Sequence, residues 1–288
     1  MASSLLSATR PRQWSKNFLV LVAAVTSGDA FGLEVWPKLF LAFFIFTLAS
    51  ASMYLMNDVF DKQNDVSHPK KKFRPIASGQ LSSRNALVAA ATFMSISVIG
   101  AAALPKKAVV ILVGYLLMTI SYSMKLKLIR ILEIIIVSSG FVLRIWFGAA
   151  AIDIQMSAWL CICVYAGSAM IVIAKRNAEL RLHDPQIVRA VILKYNQKNL
   201  KIAGFIAALL LIMTYVLWAI LGQQYIFTDR LFLYISCIPF IVGVIKFHHE
   251  DKTRGIEEPE EFLLSNTLMQ LSGASFLALL TLGIFVNY

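Results

Sequence analysis

Three aspartates and an asparagine stand together where the second hydrophobic stretch of the sequence ends. They are Asn57, Asp58, Asp61 and Asp65, and on a helix this spacing places the three carboxylates on one face. Like charges on one face repel each other unless a cation lies between them. Oxygen ligands that also admit water and phosphate are the usual Mg²⁺ arrangement. The spacing therefore predicts a Mg²⁺ site with catalytic carboxylates, and the alternative is a solvated acidic helix end.

A basic run follows the aspartates directly, from His68 to Gly79. Within it, Lys71 offers a compact positive charge and Arg74 offers a planar fork that matches phosphate oxygens. Two prolines and a glycine in the run restrict or release the backbone, which indicates a shaped loop. Alone, such a run would be explained as a signal for membrane orientation. Next to three carboxylates, it predicts the phosphate half of a metal–phosphate site.

A second group of polar residues surrounds the fifth hydrophobic stretch. Tyr122 and Lys127 precede it, while Glu133 and Arg144 lie within it. The separation of Glu133 and Arg144 is about three helical turns, so both lie on one face. An arginine inside a spanning helix is costly and usually faces a polar cavity or a partner. We expect Arg144 to bind substrate, and the alternative is a structural pairing with Glu133 or another acidic residue.

Three further basic residues lie at the ends of hydrophobic stretches and are candidates for binding phosphate groups. Lys16 precedes the first stretch, and Lys175 and Arg176 follow the sixth. The alternative for Lys175 and Arg176 is a charged helix end that only sets orientation. The segment from Arg10 to Asn17 also has the composition of an amphipathic segment at the membrane interface.

The elements that position these residues must be membrane-spanning helices. Of the 288 residues, 58% are hydrophobic and 15% are charged, whereas soluble domains have about 25% charged residues. Backbone polar groups inside lipid must be satisfied within the segment, which favours helices of roughly 20 residues. We predict an all-α integral membrane protein, a single domain over 1–288, with nine transmembrane helices around a cytoplasm-facing polar cavity. The predicted spans are 17–33, 38–56, 85–104, 108–123, 131–152, 157–174, 201–221, 230–247 and 266–286, the first interrupted by Gly28 and Asp29.

The basic residues fall mostly on one side of this nine-span arrangement. That side, which includes the N-terminus, carries 22 of the 27 lysines and arginines. The positive-inside rule places it in the cytoplasm. The net charge of +11 then reflects topology and attraction to anionic lipids, and no base-stacking or groove-reading motif points to a nucleic acid.

Other common catalytic and metal-binding patterns are absent from the sequence. Cys161 and Cys163 lie in an apolar run without a metal-ligand spacing, and His183, His248 and His249 also lack one. The sequence contains no Ser/His/Asp arrangement, no P-loop and no dinucleotide fingerprint. The functional prediction therefore rests on Asn57, Asp58, Asp61 and Asp65, here called the aspartate cluster, and on the basic residues that follow them.

These motifs resemble the UbiA superfamily of intramembrane prenyltransferases over nearly the whole chain. The NDxxDxxxD pattern of Asn57–Asp65 and the stretch from Tyr122 to Lys127 carry the resemblance. It implies nine transmembrane helices and a cytoplasmic-side cavity where the two regions bind diphosphate through Mg²⁺. Ordinary members have a second DxxxD motif, but here its positions hold Glu133 and Val137, and valine cannot bind a metal.

Within this superfamily the chain is most similar to the decaprenyl-phosphate phosphoribosyltransferase branch. Five segments match that branch in order: Arg10–Asn17, Asn57–Gly79, Tyr122–Arg144, Lys175–Leu180 and Pro259–Glu261. The branch often has Asp-Arg shortly after the last segment, where this chain has Ser265 and Asn266. The resemblance implies a multi-pass enzyme of the bacterial inner membrane with its active site facing the cytoplasm.

The implied reaction is Mg²⁺-dependent transfer of 5-phosphoribose from 5-phosphoribosyl-1-diphosphate (PRPP) to a decaprenyl- or undecaprenyl-type polyprenyl phosphate. Diphosphate is released, and the product serves arabinofuranose-donor synthesis for cell-wall glycans such as arabinogalactan. The residues expected to hold Mg²⁺ are Asn57, Asp58, Asp61 and Asp65. Those expected to bind substrate are Asn57, Lys16, Lys71, Arg74, Tyr122, Lys127, Glu133, Arg144, Lys175 and Arg176.

Two other functions and the oligomeric state stay open at this point. An ordinary prenyl transfer to an aromatic acceptor is disfavoured by Val137. A small transporter is disfavoured because nearly all charges lie at span ends rather than near mid-membrane. A monomer and a homo-oligomer are both compatible with the sequence.

Overall fold

The structure, a computed structural model, describes residues 2–27, 32–182, 191–221 and 230–285. Every regular element in these ranges is helical. The chain forms two compact units, one made mostly of residues before Ser157 and one made mostly of residues from Ser157 onward. The single domain over 1–288 stays a prediction.

The first unit contains seven α-helices among the described residues. They are α1 (Ala2–Ala8), α2 (Leu19–Ser27), α3 (Trp36–Phe60), α4 (Lys62–Val66), α5 (Ser83–Ala101), α6 (Lys106–Met124) and α7 (Arg130–Ala151). Short 3-10 helices connect them at Pro11–Phe18, Leu33–Val35, Lys71–Phe73 and Leu126–Leu128. The second unit contains α8 (Ala158–Leu182), α9 (Gln197–Leu221), α10 (Leu231–Thr253), α11 (Pro259–Ser265) and α12 (Thr267–Phe285), with a 3-10 turn at Ile192–Lys194.

Eight helices in the described part of the chain are long and apolar enough to cross a membrane. They match the second to ninth predicted spans, so the chain has the architecture of a multi-pass membrane protein. Several helices continue beyond their apolar stretch. The most important is α3, which carries Asn57 and Asp58 in its last turn.

The first predicted span, 17–33, differs from a regular helix in the structure. Its described part begins with the last two residues of a 3-10 helix over Pro11–Phe18, here called the N-terminal 3-10 segment, and continues as α2. Gly28 and Asp29 lie outside the described residues. At about 2.0 and 1.5 Å of rise per residue, the 3-10 segment and α2 measure about 16 and 14 Å. Helix α2 alone is thus too short to cross the roughly 30 Å hydrocarbon core of a bilayer. The nine-helix count therefore stays a prediction.

The core of the first unit surrounds the middle of α3. The ring of Phe46 lies 4.5 Å from that of Tyr115 and 5.4 Å from that of Phe147, centroid to centroid. Helix α2 approaches α7 closely at Gly148, because a Cβ built there would lie only 1.7 Å from the carbonyl oxygen of Val20. Only glycine permits this approach, which holds the first apolar piece of the chain against α7.

In the second unit, a buried aromatic cluster joins α9, α10 and α12. The ring of Tyr215 lies 4.3 Å from Phe240 and 5.3 Å from Phe276. The Tyr215 hydroxyl and the Ser236 Oγ are 2.6 Å apart, so the buried phenol is satisfied inside the cluster. This unit therefore has a core of its own.

The ends of α8 and α10 are tied together by polar side chains. Asn177 is fully buried and donates from Nδ2 to Oδ1 of the buried Asp251 at 3.0 Å. Arg181 donates to the backbone carbonyls of Asp251, Lys252 and Thr253 at 3.1–3.3 Å. These carbonyls end α10 and have no partner within the helix, and a cation at this end also complements the helix dipole.

The acidic segment before the last span forms its own short helix. Glu260 and Glu261 occupy the first turn of α11, where negative charge is favourable. Asn266 then accepts the backbone N–H of Met269 at 3.2 Å, which caps the start of α12. The Ser265–Asn266 pair thus has a structural role at a helix junction.

We expect Gly148→Ala to lower the apparent melting temperature of the detergent-solubilised protein by several degrees. The added methyl would overlap the Val20 carbonyl and force α2 away from α7. Gly114→Ala is the matched control, because Gly114 in α6 has nothing within 4 Å of its Cβ position. Alanine is preferred over glycine in a helix, so this control should melt at the same or a higher temperature. Equal behaviour of the two variants would contradict the close contact.

We also expect Asn177→Ala to lower the apparent melting temperature. The substitution removes the donor from a buried carboxylate, which costs about 1–3 kcal/mol. Asn85→Ala is the control, since Asn85 is exposed in the first turn of α5 and its backbone N–H makes the capping bond to Ser82. If both alanine variants melt like the wild type, the Asn177–Asp251 contact does not stabilise the second unit.

Candidate active site

The three aspartates lie on a nearly continuous helical stretch in the first unit. Asp58 is in the last turn of α3, Asp65 is in α4, and Asp61 lies between the two helices with right-handed backbone angles (φ −89°, ψ 0°). Asp58 and Asp65 are buried. The Asp61 carboxylate accepts a hydrogen bond from Nδ2 of Asn57 at 3.0 Å. The structure therefore brings together the four residues that the spacing singled out.

Each carboxylate is matched by a basic side chain from another segment. Nη1 of Arg74 lies 2.6 Å from Oδ2 of Asp65 and 3.2 Å from Oδ1 of Asp58. Arg10 donates to Oδ1 of Asp58 as well, and Lys127 donates to Oδ1 of Asp61. Removing one partner of a buried ion pair typically costs about 3–5 kcal/mol, because the other charge is left uncompensated. The three negative charges are thus held by three positive ones.

The loop that carries Arg74 is anchored by apolar contacts. Ile76 and Leu81 are fully buried against Leu55 of α3. The N–H of Leu81 donates to the Pro75 carbonyl at 2.9 Å, which closes the turn, and Gly79 within it has a φ of +81° that favours glycine. This anchoring fixes where the loop can present its arginine.

The other predicted residues of this region surround the carboxylates less directly. Lys71 begins a 3-10 turn whose start is shaped by His68, which accepts the N–H groups of Lys70 and Lys71 at 3.2 Å. Lys127 lies on the 3-10 turn between α6 and α7. Tyr122 is half-buried near the end of α6. Of these residues, Lys127 contacts the Asp61 carboxylate directly.

Arg10 is a member of this cluster that our sequence-based site prediction missed. Its backbone lies in the left-handed region (φ 55°), and its guanidinium lies 5.1 Å from the ring centroid of Tyr54. A non-glycine residue in this region is uncommon and clusters at functional sites. Arg10 begins the Arg10–Asn17 segment, whose composition alone indicates an amphipathic segment at the membrane interface.

Arg144 is buried in a separate polar network in the first unit. Its Nε donates to Oδ1 of Asn17 at 3.1 Å, and its Nη1 donates to the Gly140 carbonyl at 2.7 Å. Asn17 in turn donates to the hydroxyls of Thr47 and Ser50, both at 3.1 Å. Among the described carboxylates none forms an ion pair with Arg144. The alternative pairing of Arg144 with Glu133 is therefore wrong, since about 16 Å of helix separates them.

Glu133 and Lys16 occupy different positions in this unit. Glu133 is fully buried in the first turn of α7, where the helix dipole favours a negative charge. Lys16 lies on the N-terminal 3-10 segment, with its Nζ 5.9 Å from the ring centroid of Phe141.

Lys175 and Arg176 belong to the second unit and lie near the C-terminal end of α8. Lys175 is exposed, whereas Arg176 is buried and forms an ion pair with Glu179 at 2.6 Å. This pair and the neighbouring Asn177–Asp251 contact form a polar end to α8. Their role in substrate binding stays a prediction.

The donor set of the aspartate cluster fits a hard divalent cation in its chemistry. It consists of carboxylate oxygens and an amide, which Mg²⁺ prefers, and it contains no sulfur ligand. Within the described residues, no three His, Cys, Asp or Glu side chains are arranged to hold a metal ion. The carboxylates face basic side chains instead, so the arrangement described is a balanced set of opposite charges.

Comparison with known proteins gives consistent matches over the whole chain. Residues 18–274 match the UbiA prenyltransferase family. The decaprenyl-phosphate phosphoribosyltransferase of Mycobacterium tuberculosis is 32% identical over 100% of this chain and 96% of its own length. The protein of the same name from Mycolicibacterium smegmatis is 32% identical over 94% of this chain and 89% of its own.

A solved structure shares the fold at much lower identity. A UbiA homolog from Archaeoglobus fulgidus, bound to DMAPP and Mg²⁺, superposes with a TM-score of 0.72. The match covers 96% of this chain and 99% of the homolog at 16% identity, so it is informative about the fold alone. Because the family match covers most of the chain and relatives align over nearly their full length, this protein belongs to the UbiA prenyltransferase family and is a transferase of the membrane.

Proposed function

We propose that this protein transfers 5-phosphoribose from PRPP to a polyprenyl phosphate and releases diphosphate. The observation that carries the proposal is the 32% identity, over the full length of this chain, to a decaprenyl-phosphate phosphoribosyltransferase. The aspartate cluster supports it independently, because it combines carboxylates for a cation with basic groups for phosphates. The product would serve the synthesis of an arabinofuranose donor for cell-envelope glycans.

The ion pairs of the cluster suggest how it receives a metal-bound diphosphate. Asn57, Asp58, Asp61 and Asp65 would hold Mg²⁺, whose positive charge offsets the negative charge that develops on the leaving diphosphate. Arg10, Arg74 and Lys127 would then turn from the carboxylates to phosphate oxygens, for which guanidinium and ammonium groups are suited. Every charge in the cluster would exchange one partner for another, so none would be left uncompensated.

The remaining residues have roles that follow from their position and charge. Lys71, on the loop beside Arg74, would collect the anionic PRPP from the cytoplasm. Tyr122 and Glu133 flank the turn that carries Lys127 and would contact the ribose. Lys175 and Arg176 are further candidates for a phosphate group.

The transfer step itself requires little from the protein beyond charge and placement. An oxygen of the lipid phosphate attacks C1 of the ribose, and the bond from C1 to diphosphate breaks, with its electron pair leaving on the diphosphate. A phosphate monoester has a second pKa near 6, so the nucleophile is already ionised at pH 7 and needs no strong general base. Positioning and electrostatic stabilisation would therefore supply most of the rate enhancement.

The alternative is prenyl transfer from a polyprenyl diphosphate to an aromatic acceptor. The Archaeoglobus fulgidus homolog, which was solved with a prenyl diphosphate, makes this the natural second candidate. Val137, where ordinary family members have a second metal-binding aspartate, disfavours it. The two functions differ in the donor, so the donor is the quantity to test.

We expect the detergent-purified protein to convert radiolabelled PRPP and a polyprenyl phosphate into a labelled lipid when Mg²⁺ is present. EDTA should abolish the labelled lipid, and excess Mg²⁺ should restore it, because the leaving diphosphate depends on the metal. A parallel reaction with a prenyl diphosphate and an aromatic acid should give no product. Product in that reaction alone would replace the proposal with the prenyl-transfer alternative.

We expect Asp58→Asn to reduce turnover in this assay at least 100-fold. The change removes one metal-binding charge at a point of transition-state stabilisation, where losses of about 10²–10³ are typical. Asp153→Asn is the control: Asp153 is exposed and pairs with Lys107 at 3.2 Å, and asparagine tolerates its φ of 59°. The control should keep wild-type activity. Near-normal turnover of Asp58→Asn would remove the metal assignment.

A further inference from the structure

Arg144 is a buried cation without a matching anion. Only 6% of it is exposed, and no described carboxylate forms an ion pair with it. Its hydrogen bonds go to neutral groups, which are the Asn17 amide, the Gly140 carbonyl and the Tyr115 hydroxyl. A guanidinium has five N–H donors, so others can still fork onto phosphate oxygens. A charged side chain within a spanning helix usually marks a functional site.

A second cation shares the aromatic surroundings of Arg144. The Arg144 guanidinium lies 5.2, 5.5 and 5.5 Å from the ring centroids of Phe46, Tyr115 and Phe141. The Nζ of Lys16 lies 5.9 Å from the same Phe141 centroid. Both cations therefore lie against the same aromatic side chain. An anion that contacts both would supply the counter-charge that Arg144 lacks among the described residues.

This pair is distinct from the aspartate cluster along the length of α3. Thr47, which contacts Asn17, lies about 16 Å along the helix from Asp58. The N-terminal 3-10 segment covers the same distance, because Arg10 at its start contacts Asp58 and Asn17 near its end contacts Arg144. One short segment therefore links a carboxylate cluster to a basic pair.

We propose that Arg144 and Lys16 form a second anion subsite, which binds a phosphate monoester. The inference rests on the proposed function, in which two such groups are present: the 5-phosphate of PRPP and the head of the polyprenyl phosphate. The aspartate cluster takes the diphosphate through its metal, and the basic pair takes the monoester. The distance between the aspartate cluster and the Arg144–Lys16 subsite would then determine which substrate atom lies between the bound diphosphate and the bound monoester.

A purely structural role for Arg144 makes a different prediction, and Asn17→Asp separates the two. This substitution keeps the shape of the side chain and places a carboxylate 3.1 Å from Nε of Arg144. The Thr47 hydroxyl can donate to it where it now accepts, and the Ser50 hydroxyl can do so by giving up its present bond to the Thr47 carbonyl. The carboxylate introduced by Asn17→Asp would compete with a phosphate group for Arg144. If Arg144 only holds the N-terminal 3-10 segment in place, the charge-assisted bond strengthens that contact and leaves ligand binding intact.

The experiment measures the Kd of PRPP and of a polyprenyl phosphate separately, each in the absence of the other, so that no turnover occurs. Asn17→Asp should bind one of the two at least about 10-fold more weakly than the wild type, with an unchanged or higher melting temperature. The ligand that loses affinity identifies the monoester at the subsite. Asn85→Asp, an isosteric change at an exposed position, is the control for the added charge and should bind both ligands as the wild type does.

Wild-type affinity of Asn17→Asp for both ligands would overturn the proposal. Should Asn17→Asp fail to fold, Arg144→Gln and Arg144→Lys replace it. The glutamine variant should lose the same 10-fold, while the lysine variant, which keeps the charge, should retain most of the affinity. Wild-type binding of both ligands by Arg144→Gln would equally overturn the subsite.

Failure of the proposed function is distinguishable from failure of the subsite. Absence of phosphoribosyl transfer by the wild type would remove the function without touching the binding result. If the wild type binds neither substrate, inorganic phosphate serves as the probe, with its stabilisation against heat as the readout. That stabilisation should be larger for the wild type than for Asn17→Asp, and equal stabilisation would overturn the subsite.

Discussion

Three carboxylates at the end of a spanning helix impose the constraint on which the first unit depends. Charges removed from water need partners, and near these carboxylates α3 itself supplies the amide of Asn57 but no basic side chain. The partners come from three separate segments: Arg10 before the first apolar piece, Arg74 on the loop after α4, and Lys127 on the turn between α6 and α7. Those segments must converge on one helix end, and the apolar anchors around them serve that convergence.

The N-terminal 3-10 segment lies between two contacts on α3. Arg10, just before it, and Asn17, near its end, have partners that lie about 16 Å apart on that helix. Eight residues of 3-10 helix cover this distance, whereas an α-helix of the same residues would cover about 12 Å. The extended backbone is thus compatible with both contacts, and the left-handed angles of Arg10 precede it.

Hydropathy was sufficient to predict eight spans, because each is a long apolar stretch that needs no information from elsewhere in the chain. The aspartate cluster was predictable for a similar reason, since its spacing is local. Arg10 was missed because its partner Asp58 is distant in sequence, and no local pattern reports such a contact. The Arg144–Glu133 pairing was considered because both share a helical face. Two side chains on one helical face do not touch when three turns separate them. Arg144 contacts Asn17 instead.

The surroundings of Arg144 have a consequence for how the protein is assembled. Placing an arginine at the centre of a helix during insertion costs about 2.5–3.5 kcal/mol, so Arg144 makes α7 less favourable to insert alone. Its partners Asn17, Phe46 and Tyr115 all precede it in the chain. They have therefore been synthesised before α7 leaves the ribosome. Arg144 can contact them as soon as α7 is inserted. The order of the helices along the chain thus makes these partners available when α7 is inserted. A circular permutation that moved α7 to the front would leave the Arg144 charge exposed to lipid.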